Sequence, residues 1–209
     1  HLQGLDYEDD IEYACCLEDG ESGELLACGC AAGPILKCFA MAPELRGENH
    51  LARLISCLQA NRFAAGYYEL FVYTKPDTAP LFEAAGFYRL VAGEQAVMLS
   101  NRQNPVEGWA KGLPQPSREG VIGAVVMNAN PCTLGHVYLA EYAVSHCDLL
   151  YVFVVEEDRS VFPAAVRLEL VCQALAYLSP VIVVKGGPYI VSSATFPTYF
   201  LKDKKQVPT

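Results

Sequence analysis

The sequence of 209 residues predicts an α/β protein in two parts, a mixed α+β unit over residues 1–100 and a parallel β-α-β unit over residues 120–209. Three observations carry this. Short apolar runs separated by turn signals fill the first half, longer apolar runs alternate with helical stretches after Gly120, and residues 101–119 between them follow neither period.

In the first unit, Ile11–Leu17, Leu25–Ala31 and Ile35–Met41 read as strands of an antiparallel meander, with the polar loop Glu18–Gly23 between the first two. Pro43 and the polar residues up to His50 end it. Leu51, Leu54, Ile55, Leu58 and Arg62 then recur at three- and four-residue spacing, which predicts a helix. Tyr68–Tyr73 is a strand. Asp77 caps a short helix that stops at Gly86, and Phe87–Leu90 with Gln95–Leu99 form a closing hairpin. Asn101, Pro105, Gly108, Gly112, Pro114 and Pro116 mark a linker, onto which Trp109, the only tryptophan, adds a packing anchor.

In the second unit, Val121–Met127 is a continuous apolar run, as expected of a parallel strand buried on both faces. A helix follows from Gly135, with Val137, Ala140, Val144 and Cys147 on one stripe. Leu149–Val155 is the next strand, a helix from Pro163 turns Leu170, Val171, Ala174, Leu175 and Leu178 inward, and Val181–Val184 is a third strand. The alternation predicts right-handed crossovers and a doubly wound sheet, with ligands bound at the carboxyl ends of its strands.

A net charge of -9 and the absence of any Lys/Arg run argue against a nucleic-acid partner, because a phosphate backbone needs clustered positive charge. A nucleotide would have to be held locally. No apolar stretch is long enough to span a bilayer, and no signal-peptide pattern is present, so neither membrane insertion nor export is expected. The nine cysteines are odd in number and lack zinc-site spacing; they read as reduced thiols of a cytoplasmic protein. The chain starts at His1, and the polar Lys202–Thr209 follows abruptly on an apolar run, so a fragment is expected.

The chemistry concentrates where the first parallel strand gives way to its helix, in Asn128-Ala-Asn-Pro-Cys-Thr-Leu-Gly-His136. A helix start offers free N–H groups and a positive dipole to an anion. Gly135 permits close backbone approach, while Thr133 and His136 can donate hydrogen bonds to phosphate oxygens and stabilise the charge that builds during attack on an α-phosphate. Asn128 and Asn130 shape the turn. Arg167, in the first turn of the second helix, is expected to contact phosphate or carboxylate, and Lys185 closes the third strand on the ligand side.

These residues carry a resemblance. The Thr133-Leu-Gly-His136 turn is similar to that of the HIGH-type nucleotidylyltransferases, which have Rossmann-like domains. Together with Val155–Pro163, Arg167-Leu168 and Tyr189–Phe200, the turn resembles the citrate (pro-3S)-lyase ligases. That family joins an N-terminal acetyltransferase-like (GNAT) fold to the nucleotidyltransferase domain, and Phe71–Phe87 resembles a GNAT strand-helix-strand block. The resemblance implies ATP-dependent acetylation of the prosthetic-group thiol on citrate lyase's acyl carrier protein, with acetate, ATP and Mg²⁺ as reactants. Thr133 and His136 would be catalytic; Asn128, Asn130, Gly135, Arg167 and Lys185 would bind the nucleotide. Two departures stand beside it. Glu44–Asn49 replaces the glycine-rich coenzyme A loop of GNAT enzymes with Glu44 and Asn49 at key positions, so coenzyme A binding there is not expected. The superfamily's second phosphate motif, of the Ile-Ser-x-x-x-x-Arg kind, does not occur within the 209 residues. A nucleotide-binding module that docks citrate lyase without catalysis, and another adenylyltransferase, stay open as alternatives.

Overall fold

The computed structural model describes residues 10–45, 49–116, 119–157 and 160–195. The chain divides into two compact units, His1–Pro105 and Val106–Thr209.

The first unit contains β1 (Tyr13–Glu18), β2 (Leu25–Ala32), β3 (Ile35–Met41), α1 (His50–Ala64), β4 (Phe71–Thr74), α2 (Ala79–Ala84), β5 (Tyr88–Ala92) and β6 (Val97–Ser100). They form one sheet in the order β1-β2-β3-β4-β6-β5. The meander and the hairpin are antiparallel, as their short connections require, and only β3 and β4 run parallel, because α1 supplies the long crossover that such a pair needs. This single parallel step inside an antiparallel sheet makes the sheet a mixed one. Leu36, Ile55, Leu58, Leu70, Val72, Phe82, Phe87 and Leu99 make the core.

Arg62 ends the apolar stripe of α1 and is itself buried; its guanidinium donates to Glu12 at 2.6 Å and lies 5.7 Å from the Tyr67 ring centroid. The short helix begins one residue later than Asp77 predicts: Thr78 is the N-cap of α2. Of the altered loop, Arg46, Gly47 and Glu48 lie outside the described residues.

The second unit contains β7 (Ile122–Met127), α4 (Leu134–Val144), β8 (Leu149–Val154), α5 (Ala164–Leu175) and β9 (Val181–Lys185), preceded by α3 (Pro105–Lys111). The strands are all parallel in the order β7-β8-β9, a Rossmann-like half-sheet. Three expectations change here. Where composition suggests only a linker, residues 105–111 form α3, and its Trp109 ring sits 5.9 Å from Phe153 and 5.7 Å from Tyr189. The helices α4 and α5 share one face of the sheet through Ala140, Leu150, Val152, Val154, Val171 and Leu175, so the described sheet is wound on one side by its crossovers. The other face carries Tyr151 and Phe153, with the Tyr151 hydroxyl donating to the Pro114 carbonyl. Finally, β7 is not buried on both faces: Ile122 is 52% exposed and Val126 45%. Among the described residues β7 has a neighbour on one edge alone, which an apolar run in sequence cannot reveal.

Candidate nucleotide site at the carboxyl ends of the parallel strands

Register brings the three strand ends level, with Met127 beside Val154 and Val154 beside Lys185. The chain that leaves Met127 turns through residues 128–132 and enters α4 at Thr133. Ala129, buried in this turn, has φ of 47°, a left-handed conformation that costs a non-glycine residue about 1–2 kcal/mol and must be held by its surroundings. Two side chains of the turn help. Asn130 Oδ1 accepts the Phe162 N–H at 3.0 Å, and the Asn128 amide pairs with the Ser160 hydroxyl at 3.2 Å.

The main support is Arg167. It lies on the inward stripe of α5 with Val171 and Leu175, one and two turns on, and is 0% exposed. Its Nε donates to the Phe162 carbonyl at 2.9 Å and its Nη2 to the Glu157 carbonyl at 2.8 Å. Nη1 reaches the Asn128 carbonyl at 2.8 Å, Asn128 Oδ1 at 2.9 Å and the Val155 carbonyl at 2.6 Å. One side chain thus binds the loop after β7, the loop after β8 and the entrance to α5. All of these donors are directed at backbone carbonyls and at Asn128 Oδ1.

Thr133 has extended backbone angles, φ -124° and ψ 167°, and forms a capping box with His136. The Thr133 N–H donates to His136 Nδ1 at 3.1 Å, and the Thr133 hydroxyl lies 2.8 Å from the same nitrogen. Because Nδ1 accepts, the neutral ring carries its proton on Nε2, which is left to donate elsewhere. The first helical N–H groups, those of Leu134 and Gly135, have no intrahelical acceptor at a helix start. Both residues are exposed, Leu134 to 87%. A Cβ added at Gly135 would meet only Thr133 Oγ1, at 3.7 Å, so the glycine leaves open space in front of these amides and is not demanded by packing.

Lys185 stands at the same level but is 63% exposed and paired with Glu156 at 3.3 Å. A surface pair of this kind contributes about 0–1 kcal/mol and exchanges readily for another anion. Beyond β9, Ser192 and Thr195 cap each other: the Ser192 N–H donates to Thr195 Oγ1 at 2.9 Å and the Thr195 N–H to Ser192 Oγ at 3.2 Å. The Ser193 N–H donates to Glu157 Oε2 at 2.7 Å, which ties this turn to the loop after β8. The rest of that block, Phe196–Phe200, lies outside the described residues. Sequence reasoning does not single out Ser160 or Glu157, although both lie in the Val155–Pro163 block; their signal is only that block's polar interruption of an apolar pattern. Among the described residues no group of three or more His, Cys, Asp or Glu side chains is placed to hold a metal ion.

Residues 122–209 match the citrate lyase ligase C-terminal domain. A citrate (pro-3S)-lyase ligase of Klebsiella pneumoniae is 42% identical over 204 residues, which are 96% of this chain and 58% of that protein. One of Haemophilus influenzae is 39% identical over 209 residues, 98% of this chain and 61% of that protein. The chain therefore spans about three fifths of the length of the curated relatives it matches. Among solved structures, an acetyltransferase from Agrobacterium tumefaciens aligns with a TM-score of 0.37 at 19% identity, covering 43% of this chain and 60% of that one. The chain is a homologue of the citrate (pro-3S)-lyase ligases, with a match to their C-terminal ligase domain over residues 122–209 and a mixed α+β unit before it.

Proposed function

We propose that the second unit binds ATP at the Asn128–His136 turn and takes part in ATP-dependent acetylation of the prosthetic-group thiol of citrate lyase's acyl carrier protein, in the cytoplasm. The observation that carries this reading is the exposed α4 start, where the first helical amides have no intrahelical acceptor, His136 Nδ1 accepts the Thr133 N–H, and a Cβ at Gly135 would meet only Thr133 Oγ1. Acetate attacks the α-phosphate of ATP, the bond to the β-phosphate breaks, and pyrophosphate leaves from acetyl-adenylate. The carrier thiol then attacks the acetyl carbonyl and AMP leaves. Thr133 and His136 stabilise the charge of the first step as hydrogen-bond donors, a kind of contribution worth about 10²–10³ in rate per donor. Neither is a nucleophile. Asn128 and Asn130 hold the turn, Gly135 admits the phosphate, Arg167 positions the loops, and Lys185 exchanges Glu156 for a phosphate oxygen. The described residues supply no ligand set for Mg²⁺, which would enter on the phosphate oxygens of the nucleotide.

The test is acetate-dependent exchange of labelled pyrophosphate into ATP, with His136→Ala as control. Exchange that requires both acetate and His136 supports the reading. Exchange driven by another acceptor supports a different adenylyltransferase, and ATP binding without exchange supports a nucleotide-binding module.

A further inference from the structure

Five of the nine cysteines lie on three adjacent strands, Cys15 and Cys16 in β1, Cys28 and Cys30 in β2, and Cys38 in β3. Alternation along β1 separates the first two. Cys15 packs against the core beside Tyr13, whose hydroxyl is 3.6 Å from Cys57 Sγ of α1, and Cys16 is exposed on the opposite face. Cys16 stands directly across from Cys28 in the antiparallel ladder. Gly29 faces Phe39 and Leu58 on the core side, so Cys28 and Cys30 both point the other way, onto the face that carries Cys16. Where β2 steps from Cys28 to Cys30 its register with β3 shifts, and Cys38 occupies the bulge with φ of 57°. The Cys28 thiol reaches the Cys38 carbonyl at 3.8 Å.

We propose that Cys16 and Cys28 are a redox modification site, a dithiol that hydrogen peroxide converts into a cross-strand disulfide joining β1 to β2. Directly opposed residues of an antiparallel pair have Cα atoms about 4.5 or 5.5 Å apart, and both values lie inside the range of about 4.4–6.8 Å that a disulfide bridges. The exposed Cys16 is the one that peroxide meets first. Its thiolate attacks one peroxide oxygen, the O–O bond breaks, and hydroxide leaves, giving the sulfenic acid. The Cys28 sulfur then attacks the Cys16 sulfur, the S–O bond breaks, and water leaves with the Cys28 proton. Two thiols lose two electrons and one peroxide becomes two waters. The neighbour Cys30 does not compete, since it stands across from Ala14 in the ladder and not from Cys16, and burial pushes its thiol up to about 11.

The test treats the chain with hydrogen peroxide, blocks remaining thiols by alkylation, and maps digested peptides by mass spectrometry. The expected result is a Cys16–Cys28 linked peptide lighter by two hydrogens, about 2 Da, with alkylation lost at both positions and restored by dithiothreitol. Cys16→Ser, an exposed substitution whose folding circular dichroism checks, should abolish the link, while Cys172→Ser should leave it in place. Linkage of Cys16 to any other cysteine, or its accumulation as sulfinic acid while Cys28 stays alkylatable, overturns the proposal.

Discussion

Replacing Arg167 by methionine tests whether this arginine positions the site or touches the ligand. Its side chain is 0% exposed and serves the carbonyls of Asn128, Val155, Glu157 and Phe162 together with Asn128 Oδ1. Methionine fills a similar volume and supplies no donor. A hydrogen bond from a charged group contributes about 1.5–3 kcal/mol net, and a buried acceptor left without a partner costs about 1–3 kcal/mol. A plain sum over these acceptors overshoots, because loosened loops admit water to some of them; two or so left dry at about 1–3 kcal/mol each give a loss of about 3–5 kcal/mol. We expect Arg167→Met to lose that much, a large part of the roughly 5–15 kcal/mol that keeps a domain folded. Trp109 lies in the second unit against Phe153 and Tyr189 and is the only tryptophan, so its fluorescence follows that unit during urea unfolding. With a slope of about 1–2 kcal/mol per molar urea, the midpoint should fall by at least about 1.5 M. Arg167→Lys, which keeps the charge but gathers its donors on one atom, should fall between the two. A midpoint for Arg167→Met within about 0.5 M of the parent, with nucleotide binding abolished, would refute the positioning role and restore direct ligand contact.

Four further outcomes are expected. Gly135→Ala should leave the urea midpoint of the second unit unchanged or slightly raised, by up to about 1 kcal/mol from helix propensity, while ATP affinity measured by calorimetry falls at least about ten-fold because the methyl occupies the open space before the amides. His136→Ala should cost about 1 kcal/mol through the lost cap and slow pyrophosphate exchange by about 10²–10³. Gly187→Ala should destabilise the second unit by at least about 2 kcal/mol, read from Trp109 fluorescence, because its φ is 63° and a Cβ would lie 2.7 Å from Trp109 Nε1. In the first unit, Cys15 and Cys30 are both pushed from an ordinary 9.0 to about 11, by burial above all. Their folded-state values are raised, so their contribution is fully present below pH 9.0 and is lost as pH rises towards about 11, where the unfolded chain has ionised first. Circular dichroism during urea unfolding at a series of pH values should show that loss, and it should disappear in the Cys15→Ala, Cys30→Ala double variant.

Much of the fold was legible because it rests on local periodicity. Ile35–Met41 is both the predicted run and the observed β3, and the spaced apolar residues from Leu51 to Leu58 lie in α1. The turn was legible for a different reason, since strand, asparagines, threonine and glycine occur there in an order that suits a strand-to-helix transition. What stayed hidden depends on contacts between residues far apart in sequence. Arg167 sits in a helix's first turn, and its partners 5 to 39 residues away cannot be read from that position. The exposure of Ile122 and Val126 depends on how many strands lie beside β7, and no residue within that run encodes this. α3 was masked by Pro105, Gly108 and Gly112, although proline is well suited to a first helical position.

The Thr133–His136 capping box has a consequence for how a helix can start where an anion is to sit. The residue that usually closes such a box is a glutamate or glutamine, and a carboxylate there would set a full negative charge at the spot where the proposed function puts a phosphate. An imidazole satisfies the same backbone N–H through Nδ1 and brings no negative charge with it. On the proposed reading, punctuating the helix and welcoming an anion are competing demands on one side chain, and histidine would meet both: one ring nitrogen is committed to the polypeptide, and the other would be kept for the guest.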